Sequence, residues 1–300
     1  MTRFRSISVI VPTLNDASVA ATVQSILANE PPLPFELFVA GRDESGRLRA
    51  FPRVRFLDTG RPRIPSAARN LAAAQAAGDL FLFTDADCVV DRDWIAQALT
   101  AMGDEREVVG GGIRFPEDNY WELGDNVAVF HRCHVSGHPR PVRDYVGSNN
   151  LAVTRRAFEA VGGFDGELWI GEDWDFLKRL RAQGLGAWFE PGFAVTHHSG
   201  RTTRERLLEH ARSYGAGYVK LLRRGTATSG RWRADRCGRW PLAAAAWSAA
   251  RACSQTLRTF AGTPSMLRYL RVLPVVWLFH YARRREVFRV WHTPDTGTAQ

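Results

Sequence analysis

Cysteine is scarce in this chain: four residues in 300, Cys88, Cys133, Cys237 and Cys253, far apart and without a CxxC pair. That spacing argues against a disulfide framework or a zinc ribbon and fits a reducing compartment. No GxGxxG follows the first apolar segment and no GxxxxGK[ST] occurs anywhere, which argues against dinucleotide-binding dehydrogenases and P-loop enzymes. Long apolar runs are missing too. The two most apolar stretches of the C-terminal part, WPLAAAAWSAA (240 to 250) and LRVLPVVWLFHYA (270 to 282), are each closed by arginine, and both fall short of the roughly 18 to 20 residues a spanning helix needs. The opening MTRFRSISVIVPTLN has an apolar stretch too short for a signal peptide and runs directly into strand-like sequence, so a cytosolic setting is expected.

Acid is unevenly short. Residues 1 to 200 hold 21 Lys+Arg and 26 Asp+Glu, a net of −5, whereas residues 201 to 292 hold 19 and 4, a net of +15. Such asymmetry points to different partners, a cation or catalytic chemistry for the front and an anionic surface for the back. With 45% hydrophobic and 24% charged residues the chain is globular. Its length suits one large α/β domain with an appendage, or two domains.

Short apolar segments alternate with helical ones over the first 200 residues. SISVIV (6 to 11), FELFVA (35 to 40), VRFLD (54 to 58) and DLFLFT (79 to 84) predict strands. Helices are expected through about Leu27 with Asp16 as cap, from Pro65 to Ala76, and from Asp93 to Met102. This alternation indicates an open, mostly parallel sheet with both faces covered by helices. Ligands of such sheets sit outside the carboxyl ends of the strands, where Thr13, Asn15, Asp85 and Asp87 would lie. Beyond VVGGG (108 to 112), residues 114 to 146 read as a long irregular stretch of the kind that is commonly functional or mobile. NLAVTRRAFEAVGGFD (150 to 165) predicts a strand, a short helix and a glycine turn, and EDWDFLKRLRAQG a helix ended by Gly184. From Thr203 onward the chain reads as helical.

Three DxD pairs occur: Asp85/Asp87, Asp91/Asp93 and Asp173/Asp175. Asp93 precedes a helix and reads as an N-cap; Asp175 reads as a helix residue, solvated or flanking an acid site. Asp85 and Asp87 end a strand, and alternation in an extended segment would project both to one side. Two carboxylates so placed would hold Mg²⁺ or Mn²⁺ against substrate phosphates, or they form a turn bonded to nearby amides. Glu172 and Asp173 open a helix, where one carboxylate would suffice for capping. A pair beside Trp169 and Trp174 also offers a stacking face and a general base. His197 or His198 follows a short strand and reads as a metal ligand or a structural histidine.

Taken in order, VIVPTLN, SAARNLAAAQAAGD, FTDAD, NLAVTRRAFEAVGGFD and GED followed by a helix resemble the family 2 glycosyltransferases, inverting enzymes of the nucleotide-sugar transferase (GT-A) fold. The resemblance covers residues 6 to about 200. It implies a catalytic domain over 1–200, with a helical, basic region over 201–300. Pro12, Thr13, Asn15, Asp43, Arg69, Asn70, Asp85 and Ala86 would line the nucleotide-sugar site. Asp87, with Asp85 in support and His197 or His198 completing the shell, would hold Mn²⁺ or Mg²⁺. Asp173 would be the general base with Glu172 beside it, and Trp169, Asn149 and Asn150 would meet the acceptor. The implied reaction is one in-line displacement with inversion, from a nucleotide-diphospho-sugar to a glycan or lipid-linked acceptor of the kind used in cell-envelope polysaccharide synthesis.

Two departures stand out. Where family members carry an aspartate pair after the second strand, this chain has Gly41 and Arg42, with Asp43 as a substitute. The absence of QxxRW points to one sugar per encounter. Gly41 and Arg42 also keep open a protein of the same fold that binds a nucleotide sugar or glycan without turnover; a nucleotidyltransferase lacks its lysine-containing phosphate loop here. The basic tail reads either as interfacial helices on an anionic membrane, peripheral to its inner face, or as helices packed on the catalytic domain with a solvated basic face. Nucleic acid is not an expected partner, since no recognisable nucleic-acid module accompanies the arginines.

Overall fold

A computed structural model describes residues 3–142, 145–225 and 241–293; Cys237 and Trp240 lie outside them. Contacts divide the chain into a first unit, Met1–Pro116 with Arg132–His198, and a second, Glu117–His131 with Ser199–Gln300.

The first unit is built on one sheet. Strand β1 (Ile7–Leu14) is buried along all but its last residue, as an apolar run covered on both faces should be. It pairs in parallel with β2 (Phe35–Arg42) and β4 (Leu80–Thr84), and β2 pairs in parallel with β3 (Val54–Asp58). Parallel neighbours need crossovers; α1 (Val19–Leu27) and α2 (Pro65–Ala73) supply two of them. Beyond β4 the sheet is mixed. Strand β8 (Asn150–Thr154) runs antiparallel to β4 and to β6 (Val108–Arg114), and β9 (Ala187–His197) runs parallel to β6. The short strands β5 (Cys88–Val90) and β7 (Arg140–Val142) run antiparallel to β9. The order is β3-β2-β1-β4-β8-β6-β9-β5, with β7 against β9.

These directions bring many segments to one edge. The carboxyl ends of β1, β2, β4, β6 and β9 lie there, as do the starts of the antiparallel strands β5 and β8. Beneath that edge sits an aromatic cluster: Phe83 meets Phe164 at 5.3 Å, Phe164 meets Phe176 at 4.7 Å, and Phe81 meets Phe158 at 5.5 Å between centroids. Helices α3 (Trp94–Met102), α5 (Arg155–Ala160) and α6 (Glu172–Ala182) complete the unit.

Two expected caps take other roles. Helix α1 starts at Val19, so Asp16 accepts the Ser18 amide at 2.7 Å ahead of the helix instead of capping it directly. Asp93 occupies the N-cap position of α3, yet its carboxylate accepts from the Gln97 side chain at 2.8 Å. Helix α2 also ends at Ala73, three residues before the expected Ala76.

The stretch 114 to 146 is not wholly irregular: it contains α4 (Tyr120–Phe130). Asn119 caps it, accepting from the amides of Trp121 and Glu122 at 2.9 and 3.0 Å. The helix was hard to read because its buried face carries Glu122, Asp125 and Asn126, which breaks the apolar period. It belongs to the second unit, with α7 (Arg204–Arg223), α8 (Pro241–Ala261), a 3₁₀ segment (Pro264–Val272) and α9 (Leu273–Trp291). Asp125, fully buried, accepts from His210 at 2.7 Å and faces Arg201 at 3.5 Å, tying α4 to α7 and to the segment before it. Assigning α4 here changes the charge balance: the first unit holds 21 basic and 22 acidic residues, the second 19 and 9.

Candidate active site

Helix α2 organises the site. Pro65 at its first position sets φ for helix entry, and Ser66, Arg69 and Asn70 then share one face. Ser66 donates to the Leu168 carbonyl at 2.8 Å; Asn70 donates to the Phe164 carbonyl at 2.7 Å and accepts the Phe164 amide at 3.0 Å. These bonds hold the loop that leads into α6. Gly171, at φ +82°, turns the chain so that Glu172 and Asp173 become the first two residues of that helix.

Arg69, almost wholly buried, joins the two acidic motifs. It donates to Asp85 and, at 3.1 Å, to Glu172, over the Phe164 ring. Glu172 also accepts from Ser148 at 3.3 Å. Burial raises the Glu172 carboxyl, with Arg69 opposing. Asp173 keeps part of its surface open, but burial and then the charge of Glu172 push it up to about 8, against the Trp174 amide that it accepts at 2.8 Å. A carboxylate raised into the neutral range at the start of a helix is suited to proton abstraction.

The two aspartates of FTDAD do not alternate along a strand. Strand β4 ends at Thr84, and a turn closed by the Cys88 amide on the Asp85 carbonyl at 3.1 Å follows. The turn gives them different partners. Asp85 meets Arg69, while Asp87 lies 3.5 Å from His197 Nε2, at the end of β9. His197 is buried; His198 is exposed and contributes its backbone amide to the Asp87 carbonyl at 2.8 Å. Asp87, Cys88 and His197 bring one donor atom each within 4.8 Å. Burial, then the charge of Asp87, raises the Cys88 thiol well above its usual range, so the donor set that fits a divalent ion is the carboxylate and the imidazole, with the remaining positions for substrate oxygens.

Other expected residues divide into open and committed groups. Thr13 Oγ1 and both side-chain atoms of Asn149 are buried without a hydrogen-bond partner; groups so placed at a site edge suit a polar ligand. Asn150 is committed: its amide accepts from Trp94 Nε1 at 3.0 Å and donates to the carbonyls of Gly112 and Phe193, each at 2.9 Å. It therefore ties strands together and has no capacity for an acceptor. Asn70 is engaged by Phe164 through one donated and one accepted bond. Pro12 and Ala86 are buried backbone neighbours, the Ala86 carbonyl accepting from Thr22 at 2.7 Å. Asn15, at φ +56°, accepts the Glu44 amide at 2.9 Å, and Asp43 accepts the Leu48 amide at 2.8 Å, so both order the loop after β2. Trp169 is exposed just before α6.

Gly41 has a packing reason. At φ +139°, a Cβ there would stand 1.7 Å from the Thr13 carbonyl oxygen of the neighbouring strand. Arg42 then pairs with Asp58 at 2.8 Å and Glu44 at 3.0 Å. In the second DxD pair, Asp91 accepts from both terminal guanidinium nitrogens of Arg114 at 2.9 and 3.2 Å. Asp175 pairs with Arg179 at 2.7 Å. Two participants escaped the sequence reading. Ser148 is one, and Asp16 is the other: burial, and after it the charges of Asp87 and Asp85, raise its carboxyl. Its place just past β1 was the available clue.

Residues 8–153 match the family model described as Glycosyl transferase family 2, and 128–210 match one described as N-terminal domain of galactosyltransferase. Residues 8–153 belong to the family 2 glycosyltransferases. It is 30% identical over 68% of its length to the O-antigen biosynthesis protein RfbC of Myxococcus xanthus, of which it covers 18%. It is 28% identical over 71% of its length to the succinoglycan biosynthesis protein ExoA of Rhizobium meliloti (strain 1021), of which it covers 68%. The mannosyltransferase PcManGT from Pyrobaculum calidifontis, solved with GDP-Man and Mn²⁺, shares its fold at a TM-score of 0.61 and 19% identity, over 94% of this chain and 86% of that one. The chain spans 18% and 24% of the first two curated relatives it matches.

Proposed function

We propose that the chain transfers one sugar from a nucleotide-diphospho-sugar to an acceptor hydroxyl, with inversion and without processivity. The observation that carries this reading is Arg69, a buried cation that links the aspartate of FTDAD to the acid pair opening α6. It sets a phosphate-facing motif and a base within one bonded network. The neighbour solved with GDP-Man and Mn²⁺ supports a sugar nucleotide and a divalent ion as ligands of this fold.

Asp87 and His197 would hold Mn²⁺ or Mg²⁺, which supplies charge neutralisation for the departing diphosphate. Thr13 and Asn149 offer their unpartnered polar atoms to the donor or the acceptor, and Trp169 presents an exposed ring to the acceptor. Arg69 fixes Asp85 and Glu172. Glu172, in turn, keeps the neighbouring Asp173 basic, so that Asp173 takes the acceptor's proton as the new bond forms. The acceptor is a glycan or lipid-linked glycan, and the protein works peripherally at the inner face of a membrane. No helix among the described residues is long and apolar enough to cross one. The retention of Asp85, Asp87 and Asp173 together supports turnover over binding alone.

The test incubates the protein with UDP, GDP and dTDP sugars, in Mn²⁺, Mg²⁺ or chelator, and follows nucleotide release by mass spectrometry. Release from one donor, suppressed by chelator, is expected. No binding or release with any donor in any metal would overturn the reading.

A further inference from the structure

Three helices of the second unit bring basic groups together without acid. On α9, His280 and Arg284 are four residues apart, with Arg283 beside them. On α8, Trp247, Arg251 and Gln255 form a row at the same spacing, and on α7 so do Tyr214 and Tyr218. Positions four apart share a helix face. The rows meet one another. Arg284 donates to Gln255 at 3.3 Å and lies 5.9 Å from the centroid of the Trp247 ring. Arg251 lies 5.7 Å from the same ring, and Arg283 lies 6.0 Å from the Tyr218 ring.

Elsewhere in this unit arginines find carboxylates: Arg268 and Arg271 meet Glu117, and Arg289 meets Glu286. Among the described residues no carboxylate pairs with Arg251, Arg283 or Arg284. The Nε atoms of Arg283 and Arg284 are buried without a hydrogen-bond partner, and so are both ring nitrogens of His280, which is 1% exposed. Burial, and then the charge of Arg283, lower the Arg284 guanidinium to about 10, with Tyr218 opposing and Arg251 adding to the fall. Burial, and then the charges of Arg283, His131 and Arg284, hold His280 well below its usual range, so it stands neutral. Buried donors and like charges left without partners are costly, and a bound anion offsets both. The three arginines are only partly covered, so an anion can reach them. Three cations answer a multiply charged oxyanion better than a lone carboxylate, and the guanidinium fork matches the oxygens of phosphate.

We infer that Arg251, Arg283 and Arg284 form a binding site for a phosphate or diphosphate group. The guanidinium groups donate to its oxygens, Trp247 and Tyr218 hold them in place, and His280, kept neutral among them, has one ring N–H to add. The site uses none of the residues assigned to the donor. Its members all belong to the second unit, whereas Asp85, Asp87 and His197 belong to the first. It stands apart from the transfer reaction, because anion binding is read whether or not a sugar nucleotide is turned over.

The test is calorimetry of inorganic diphosphate titrated into the full chain in chelator, where a metal-bridged donor site does not hold it. Binding that weakens with salt is expected, together with a rise in unfolding temperature when diphosphate is added. Arg283→Gln with Arg284→Gln should weaken binding by at least about tenfold and abolish that rise. Arg251→Gln, on a different helix, should weaken binding several-fold. Displacement of the diphosphate by vesicles containing phosphatidate would assign the phosphate to a lipid headgroup, and lack of displacement to a soluble ligand, both with the site as proposed. No binding in chelator, or binding that the Arg283/Arg284 double variant and Arg251→Gln both retain undiminished, would overturn the proposal.

Discussion

The two units treat their buried charges in opposite ways. In the first, the single cation Arg69 meets two carboxylates, Asp85 and Glu172, and more acid lies nearby: Asp173 and Asp16, both pushed up, with Asp87 against His197. In the second, what is left over is base, Arg251, Arg283 and Arg284 around tyrosine and tryptophan rings. Excess acid at a sheet edge suits a metal ion and a proton to be removed, whereas excess base beside aromatic rings suits an anion. Buried charge of one prevailing sign, retained at a cost to folding, is thus a guide to function in both, with opposite sign.

The strongest way to break the acidic side of this comparison is Arg69→Met, which leaves Asp85 and Glu172 without their cation. A loss of about 3 to 5 kcal/mol is expected in urea unfolding, with Glu172→Gln added to it restoring part. A loss below about 1 kcal/mol would show that the network is not the organiser of the site. Next, Asn150→Ala should cost about 1 to 3 kcal/mol by stranding the partners of its amide, while Asn149→Ala should leave stability unchanged and slow transfer. The reverse pattern would exchange their roles.

Metal affinity separates the adjacent histidines. His197→Ala should weaken Mn²⁺ binding by more than about tenfold in calorimetry, a loss of at least about 1.4 kcal/mol, and His198→Ala by less than about threefold. The smallest effect is a pH dependence. Since the folded state raises Asp173, its contribution to stability is present below the ordinary aspartate range near about 4 and is lost as pH rises toward about 8. Asp173→Asn should therefore gain in unfolding temperature relative to wild type across that interval; a constant difference would contradict the raised carboxyl.

Much of this architecture was legible because apolar runs and strand ends are local properties. VRFLD and NLAVT became strands at the expected residues, and FTDAD and GED came to one edge. The destination of each side chain was less readable. Asn70 and Asn150 sit beside open positions and differ from them only through partners about 40 to 94 residues away. The turn at Asp85 hid the divergence of the two aspartates, since strand alternation was carried past the last strand residue. Helix α4 was missed because its buried polar face, which pairs with His210 and Arg201, imitates a loop.

The proposed transfer requires Asp173 to act as a base within a site that binds its donor without it. Wild type and Asp173→Asn are compared for donor affinity by calorimetry and for nucleotide release in the presence of acceptor and Mn²⁺. Donor affinity within about threefold and release slower by roughly 10²- to 10⁴-fold are predicted. Unchanged release would contradict the account directly.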